Sequence, residues 1–374
     1  MSQRAPRVLI LTASYGSGHN RVASALAAAF QAQGAVPQVI DHFETFVHPL
    51  FNRVTQALYL AVLRRTPALF GAVYSLSDHL PVWSPLLLGM NRLGMRRLAR
   101  ALAADRPDLI VAVHPTPAGA LSGLSQRGIL TVPHATVFTD FAVHTQWIYP
   151  NVDWYCVPTD EIRIGLERRG IPPERILVTG IPIADDFSRA PRASEARRQL
   201  GLRRDPFTLL IMAGGHGGLG RLADALSALQ SLPQPVQINV VCGRDEMLAK
   251  RLRARFGGRE GVRILGYVRR IQVEIAAADL LITKPGAVTL AEAFAVGVPV
   301  LCFGSLPGQE RRNQRAAEMS GAALVARTAA SLRETVELLR SDPLLLSKLK
   351  RDAKVLRRPD AAQSVARQLL ASLS

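Results

Sequence analysis

The sequence predicts an α/β protein made of two tandem, doubly wound parallel sheets. Short apolar runs alternate with helix-like segments along almost the whole chain. Two glycine-rich turns, "SYGSGHN" at 14–20 and "MAGGHGGLG" at 212–220, each follow a strand-like run and precede a helical one. The length of 374 residues, 48% of them hydrophobic, is too great for one ordinary core and suits two.

In chain order, the first series of strand-like runs is "RVLILTAS", "VPQVIDHF", "DLIVAVH", "ILTVPHATVFTD" and "DWYCVPT". The helix expected over 21–33 is closed by Gly34. Periodicity then fails in the proline- and charge-rich "RILVTGIPIADDFSRAPRASEARRQLGLRRDP", which reads as a connection. A second series follows: "FTLLIMAGG", "PVQINVVCG", "VRILGYV", "DLLITKPG" and "VPVLCFG". The expected organisation is an N-terminal domain over 1–183, a linker over 184–206 and a C-terminal domain over 207–374, with a cleft between the domains. The last helix is free to return to the first domain.

Composition narrows the partners. The formal charge of +17 arises from 46 Lys+Arg against 29 Asp+Glu, and only five of the 46 are lysine, so a coding bias toward arginine accounts for part of it. The remainder favours anionic partners: nucleic acid, acidic lipid or phosphorylated ligands. No RNP, KH or zinc-finger signature is present, so nucleic acid is not expected. Cys156, Cys242 and Cys302 stand apart with no CxxC pair, the pattern of core thiols in a reducing compartment. The N-terminal apolar run is too short for a signal core and no stretch reaches the length of a membrane span, so the expected location is the cytoplasm.

The turns carry the chemistry. In a doubly wound sheet, ligands meet the carboxyl ends of the strands, and Gly16 and Gly18 let backbone approach where a side chain would collide. His19, at the cleft end of the first helix, is either a base near neutral pH or a polar residue that caps the helix. The second turn lacks the GK[ST] ending of a P-loop. In "ADLLITKPGAVTLAEAFAVGVPVLCFGSLPGQERRN", a strand ends at Lys284, Pro285 and Gly286 open a helix whose N-terminus suits a diphosphate, and Glu292 lies two turns inside. A carboxylate there accepts both hydroxyls of a ribose; the alternative is a solvent-facing glutamate. Gln309 and Glu310 of "PGQE" suit sugar hydroxyls.

The segments "SYGSGHNRVASAL", "FTDFAVHTQW", "VTGIPI", "CGRDE", "GYV" and "LITKPGAVTLAEAFAVGVPVL" with "PGQE" resemble the monogalactosyldiacylglycerol synthase and processive diacylglycerol glycosyltransferase group. That group is related to the lipid II-forming N-acetylglucosaminyltransferase. The resemblance covers nearly the whole chain. It implies the two-Rossmann architecture known as GT-B, with a UDP-hexose (glucose or galactose) held mainly by the C-terminal domain and a lipid acceptor, diacylglycerol or similar, by the N-terminal one. The implied donor-binding residues are Gly214, Gly215, His216, Arg244, Tyr267, Lys284, Gly286, Thr289, Glu292, Gln309 and Glu310. Gly16, Gly18 and His144 fall on the acceptor side. The family's second glycine turn commonly carries an acidic residue where His216 stands. The implied reaction inverts the anomeric carbon, with His19 as base and Asp140 as an orienting or alternative carboxylate. No D-x-D motif occurs, so no cofactor or metal is expected, and amides, helix dipoles, Lys284 or Arg244 meet the leaving-group charge. A UDP-N-acetylglucosamine-dependent transferase or epimerase would share the donor site. A nicotinamide dehydrogenase ranks last because the first turn does not match GxGxxG.

For the lipid side, apolar residues at 50, 51, 54, 57, 58, 61 and 62 form a helical stripe that ends at Arg64 and Arg65, and Arg92, Arg96 and Arg100 recur every four residues. The pattern is either a core-facing helix with a solvated arginine face or an interfacial element that docks on the anionic inner face of the cell membrane.

Overall fold

The structure is a computed structural model that describes residues 4–14, 16–80, 84, 89, 91–214, 222–232 and 236–373. It divides into two compact units, Met1–Asp185 with Asp360–Ser374, and Asp186–Pro359.

The first unit contains a six-stranded parallel sheet in the order β2-β1-β3-β4-β5-β6. Its strands are β1 (Arg7–Thr12), β2 (Val36–Asp41), β3 (Leu109–Ala112), β4 (His134–Val137), β5 (Trp154–Val157) and β6 (Ile176–Val178). The inner strands β3 and β4 are buried at every position, and β3 accordingly reads as an unbroken apolar run. At the edge, β2 leaves Val36 and Val39 exposed. Because β2 and β3 lie on opposite sides of β1, the chain reverses its direction of winding there and opens a crevice at the strand ends.

Helix α1 (Ser17–Ala32) starts one turn earlier than the apolar period suggests, and Gly34 follows it with φ +83°. A helical turn, Phe43–Val47, precedes α2 (Pro49–Arg65) and α3 (Pro67–His79). Then come α4 (Met95–Asp105), α5 (Pro115–Ser125) and α6 (Asp160–Glu167).

The second unit opens with α7 (Ala193–Gln199), which lies within the segment 184–206 expected as a linker. Ala196 of α7 is fully buried against Val273, Ala276 and Ala277 of α10 (Ile271–Ala277). Arg197 locks it in place through Asp279 at 2.7 Å and the Ala277 carbonyl at 2.9 Å. Its six parallel strands run β12-β11-β10-β7-β8-β9, from β7 (Thr208–Met212), β8 (Gln237–Val241), β9 (Val262–Leu265), β10 (Leu280–Thr283), β11 (Val300–Phe303) and β12 (Ala323–Ala326). The reversal falls between β7 and β10. The remaining helices are α8 (Leu222–Gln230), α9 (Glu246–Phe256), α11 (Ala287–Val296), α12 (Gln309–Met319), α13 (Ala329–Ser341) and α14 (Pro343–Asp352).

The closing helix α15 (Ala361–Ala371) belongs to the first unit, where it packs on α1, and Gln33 donates to the Gln363 carbonyl at 3.0 Å. All three cysteines are free and buried, and burial pushes the Cys156 and Cys302 thiols up to about 12, which keeps them protonated and inert.

Candidate active site

In the first unit, the reversal between β1 and β3 gathers the chemistry. Gly16 caps α1 with φ 135° and ψ 160°, a conformation that only glycine adopts without strain. No side chain caps this helix and no acidic residue stands in its first turn, so its positive end faces the strand ends unopposed. Gly18 lies in that first turn. The loop is braced by Asn20, which accepts from Thr12 at 2.8 Å and donates to Ser14 at 3.0 Å, while Ser14 donates to Asp41 at 2.5 Å.

His19 is partly buried. Its Nδ1 lies 2.8 Å from the Val113 carbonyl, 94 residues away, and 3.2 Å from Thr139 Oγ1. A carbonyl only accepts, so Nδ1 carries the proton and Nε2 keeps its lone pair. Burial lowers the imidazole pKa below 6.5, against the opposing pull of the Asp140 carboxylate and the Val113 carbonyl. The ring is therefore neutral at pH 7. Asp140, only 4% exposed, lies close enough for its charge to act on the His19 ring.

A second imidazole, His114, meets His19 edge to face at 4.7 Å. Its Nδ1 accepts the Thr116 amide at 3.2 Å, and burial, then His19 and His42, hold its pKa well below 6.5. Neither His114 nor Thr139 emerges from the periodicity, although a histidine followed by proline directly behind the apolar run "DLIVAV" is a visible signal. His144 is placed differently from the turn: it is buried against α3, with Nδ1 accepting the Gln146 amide at 3.1 Å and Nε2 3.3 Å from Ser77 Oγ and from the Tyr74 carbonyl. It fastens the loop after β4 to α3.

In the second unit, Lys284 directly follows β10 and reaches Glu310 Oε1 at 3.1 Å, while Glu310 Oε2 accepts the Leu306 amide at 2.8 Å. Both oxygens of Glu310 are thus engaged within the protein. Gly214, with φ +81°, leaves the space the lysine needs, because a Cβ there would lie 2.9 Å from Lys284 Cε. Gly286 opens α11 with no side-chain cap and no acid in the first turn, so the positive end of the helix is not offset by a nearby acid.

Glu292, two turns along α11, is 2% exposed, which removes the solvent-facing alternative. Thr289 stands one turn before it on the same face, partly buried. Gln309 begins α12 beside Glu310. At the ends of β8 and β9, the Arg244 guanidinium lies 5.6 Å from the ring centre of the exposed Tyr267. Gly215 and His216 lie outside the described residues. Among the described residues, no group of three or more His, Cys, Asp or Glu side chains could hold a metal ion.

Residues 19–183 match the family model of monogalactosyldiacylglycerol synthase, and residues 208–365 match the glycosyltransferase family 28 C-terminal domain. The processive diacylglycerol beta-glucosyltransferase of Bacillus cytotoxicus is 32% identical over 361 residues, covering 96% of this chain and 92% of that protein. The chain belongs to the monogalactosyldiacylglycerol synthase family. This member is a glycosyltransferase. Its GT-B fold is shared with MurG of Acinetobacter baumannii, with a TM-score of 0.64 at 16% identity, covering 98% of this chain and 100% of that one. It is also shared with the UDP-bound MnaA of S. aureus, with a TM-score of 0.66 at 13% identity, covering 98% and 97%.

Proposed function

We propose that the enzyme transfers glucose from UDP-glucose to the free hydroxyl of 1,2-diacylglycerol with inversion, giving a β-glucosyl lipid. The observation that carries this reading is His19: a neutral imidazole whose Nδ1 proton is committed to Val113, so that Nε2 is the base. In the reaction, the acceptor hydroxyl gives its proton to His19 Nε2 as its oxygen attacks the anomeric carbon, and UDP departs from the opposite face. Asp140 balances the imidazolium. The diphosphate charge that develops is met by the amides at the start of α11 and by Lys284, with Glu292 on the ribose hydroxyls. No metal takes part in this scheme. The glucosyltransferase name of the Bacillus relative favours glucose over galactose.

The lipid acceptor is supported by α2 and α3. No helix among the described residues is long and apolar enough to cross a membrane. Yet Leu50, Val54 and Leu58 of α2 are 62%, 58% and 62% exposed, and Leu69, Val73 and Leu76 of α3 are 56%, 57% and 65% exposed. The apolar stripe thus faces solvent rather than core, and repeats at helical spacing on both helices. On this reading the pair docks on the inner face of the cell membrane, where diacylglycerol resides.

The test is incubation with UDP-glucose, UDP-galactose and UDP-N-acetylglucosamine, each with diacylglycerol in anionic vesicles, followed by mass and anomeric analysis of the product. A β-hexosyl diacylglycerol from UDP-glucose is expected. Product from UDP-N-acetylglucosamine alone, or an α-linked product, would overturn the reading.

A further inference from the structure

At the start of α4 the first unit holds a pocket of about 620 Å³, within the roughly 300–1,000 Å³ range of small-molecule sites. Four arginines line it: Arg92 from the turn before α4, Arg96 and Arg97 from its first turn, and Arg127 from the turn after α5. We infer that this pocket is a phosphate-binding site, distinct from the nucleotide site, for a phosphate ester with a small organic substituent.

Charge is the first argument. Some arginines of this unit meet carboxylates, as Arg163 meets Asp160 and Glu167 at 3.1 Å. Among the described residues, no carboxylate pairs with any of the four pocket arginines. Four like charges around one volume repel one another, and an anion among them turns that repulsion into charge-assisted hydrogen bonds.

Preorganisation is the second. Arg97 Nη1 donates to the Val47 carbonyl at 2.8 Å, which holds its guanidinium at the pocket and leaves its other donors available, and Arg127 Nη1 rests 3.5 Å from Met95 Sδ. The first turn of α4 contributes its positive end, with no acidic residue and no side-chain cap. Gly94 permits this start: its φ is +75°, and a Cβ there would come within 2.9 Å of the Phe46 backbone. Phe46 and Met95 supply an apolar wall, which suits an esterified phosphate better than the bare ion.

Two sources offer that chemistry, a phospholipid headgroup and a soluble sugar or glycerol phosphate. Arg100 does not line the pocket, so the site differs from the evenly spaced arginine face read from the sequence. Leu93, beside the pocket, accepts from His42 Nε2 at 3.0 Å, and His42 is a neighbour of His114. For that reason the test reads binding rather than turnover.

Calorimetry of the full-length protein in saturating UDP, with sn-glycerol 3-phosphate and with dihexanoyl phosphatidic acid as probes, separates the sources. One molecule of probe per chain is expected; binding of both probes points to a soluble ester, and binding of the lipid probe alone points to a headgroup. Arg92→Gln with Arg96→Gln and Arg127→Gln, all exposed positions, is expected to weaken binding by about tenfold or more, the scale of lost charged hydrogen bonds. A control of equal charge loss at the exposed Arg100, Arg168 and Arg251 is expected to leave it unchanged. Binding of neither probe, equal weakening by the control, or probe binding that is seen without UDP and lost in saturating UDP would each overturn the proposal.

Discussion

The two units share a six-stranded parallel sheet and a reversal beside their first strand, yet they dress it in opposite ways. In the second unit, α8 buries Leu222, Ala225, Leu226 and Leu229, and α11 buries eight of its ten residues. In the first, α3 buries none, and Leu50 and Leu58 of α2 with Leu69 and Leu76 of α3 turn outward. Titratable groups divide as sharply. Seven of the eight histidines fall in the first unit, at 19, 42, 48, 79, 114, 134 and 144, whereas all five lysines fall in the second. A common scaffold therefore assigns no role by itself; the side chains at the strand ends do.

The comparison breaks most visibly at His19. His19→Ala is expected to lower kcat by about a hundredfold or more, the usual scale of a general base, with UDP affinity nearly unchanged. His19→Gln, which keeps hydrogen bonding without basicity, is expected to be almost as slow, and Asp140→Asn tests the carboxylate as the alternative base. Retention of most turnover by His19→Ala at saturating acceptor would leave the first turn a backbone device.

Next in size is Glu292→Ala in the second unit. Loss of a charged hydrogen bond of about 1.5–3 kcal/mol corresponds to a roughly 10- to 150-fold weaker UDP Kd by calorimetry. Unchanged UDP affinity in a folded variant would remove the glutamate from the donor site. A smaller effect, several-fold to about tenfold in vesicle partitioning, is expected from Val54→Ser, Leu58→Ser and Leu76→Ser together, because each removes apolar area from the bilayer contact. Activity on a short-chain soluble acceptor should survive, and untouched partitioning would mean that the stripe docks elsewhere.

The pH response sharpens the contrast between units. Burial lowers the pKa of His19, His42 and His114, so the unfolded chain binds more protons than the folded one as pH falls below 6.5. The stability these neutral rings confer is full above pH 6.5 and is lost as pH falls through their lowered values. Hydrogen-exchange protection factors, which correct for the slower intrinsic exchange in acid, are therefore expected to fall in the first unit on mild acidification before they do in the second, and kcat/KM to fall on the same acid side. Simultaneous loosening of both units would contradict this. The smallest expected effect is none at all: EDTA should leave the initial rate unchanged, and an inhibition reversed by magnesium would require a metal at the diphosphate.

Much of this was legible in the sequence because it is local. Apolar runs at buried parallel strands, glycine turns at strand ends, and a helix opened by "KPGA" with a glutamate two turns in all follow from neighbours along the chain. What escaped was short or embedded in charge. β6 has three residues and sits in a proline-rich stretch, and α7 has seven amid arginines, so neither produces a period. Their status came from β5 and from α10, which pair with them.

By itself the sequence determined the alternation of elements, the glycine conformations and the identity of each chemical group, since these depend on side-chain shape and on backbone sterics over a few residues. Only the tertiary structure decided which groups meet. It set the carbonyl of Val113 against His19 and so chose the tautomer, joined Lys284 to Glu310 across 26 residues, and brought Arg127 to the arginines of α4. It also decided that the stripe on α2 and α3 faces solvent. Periodicity states that a helix has an apolar face; what covers that face depends on elements distant in the chain, whose placement is settled by packing the whole core.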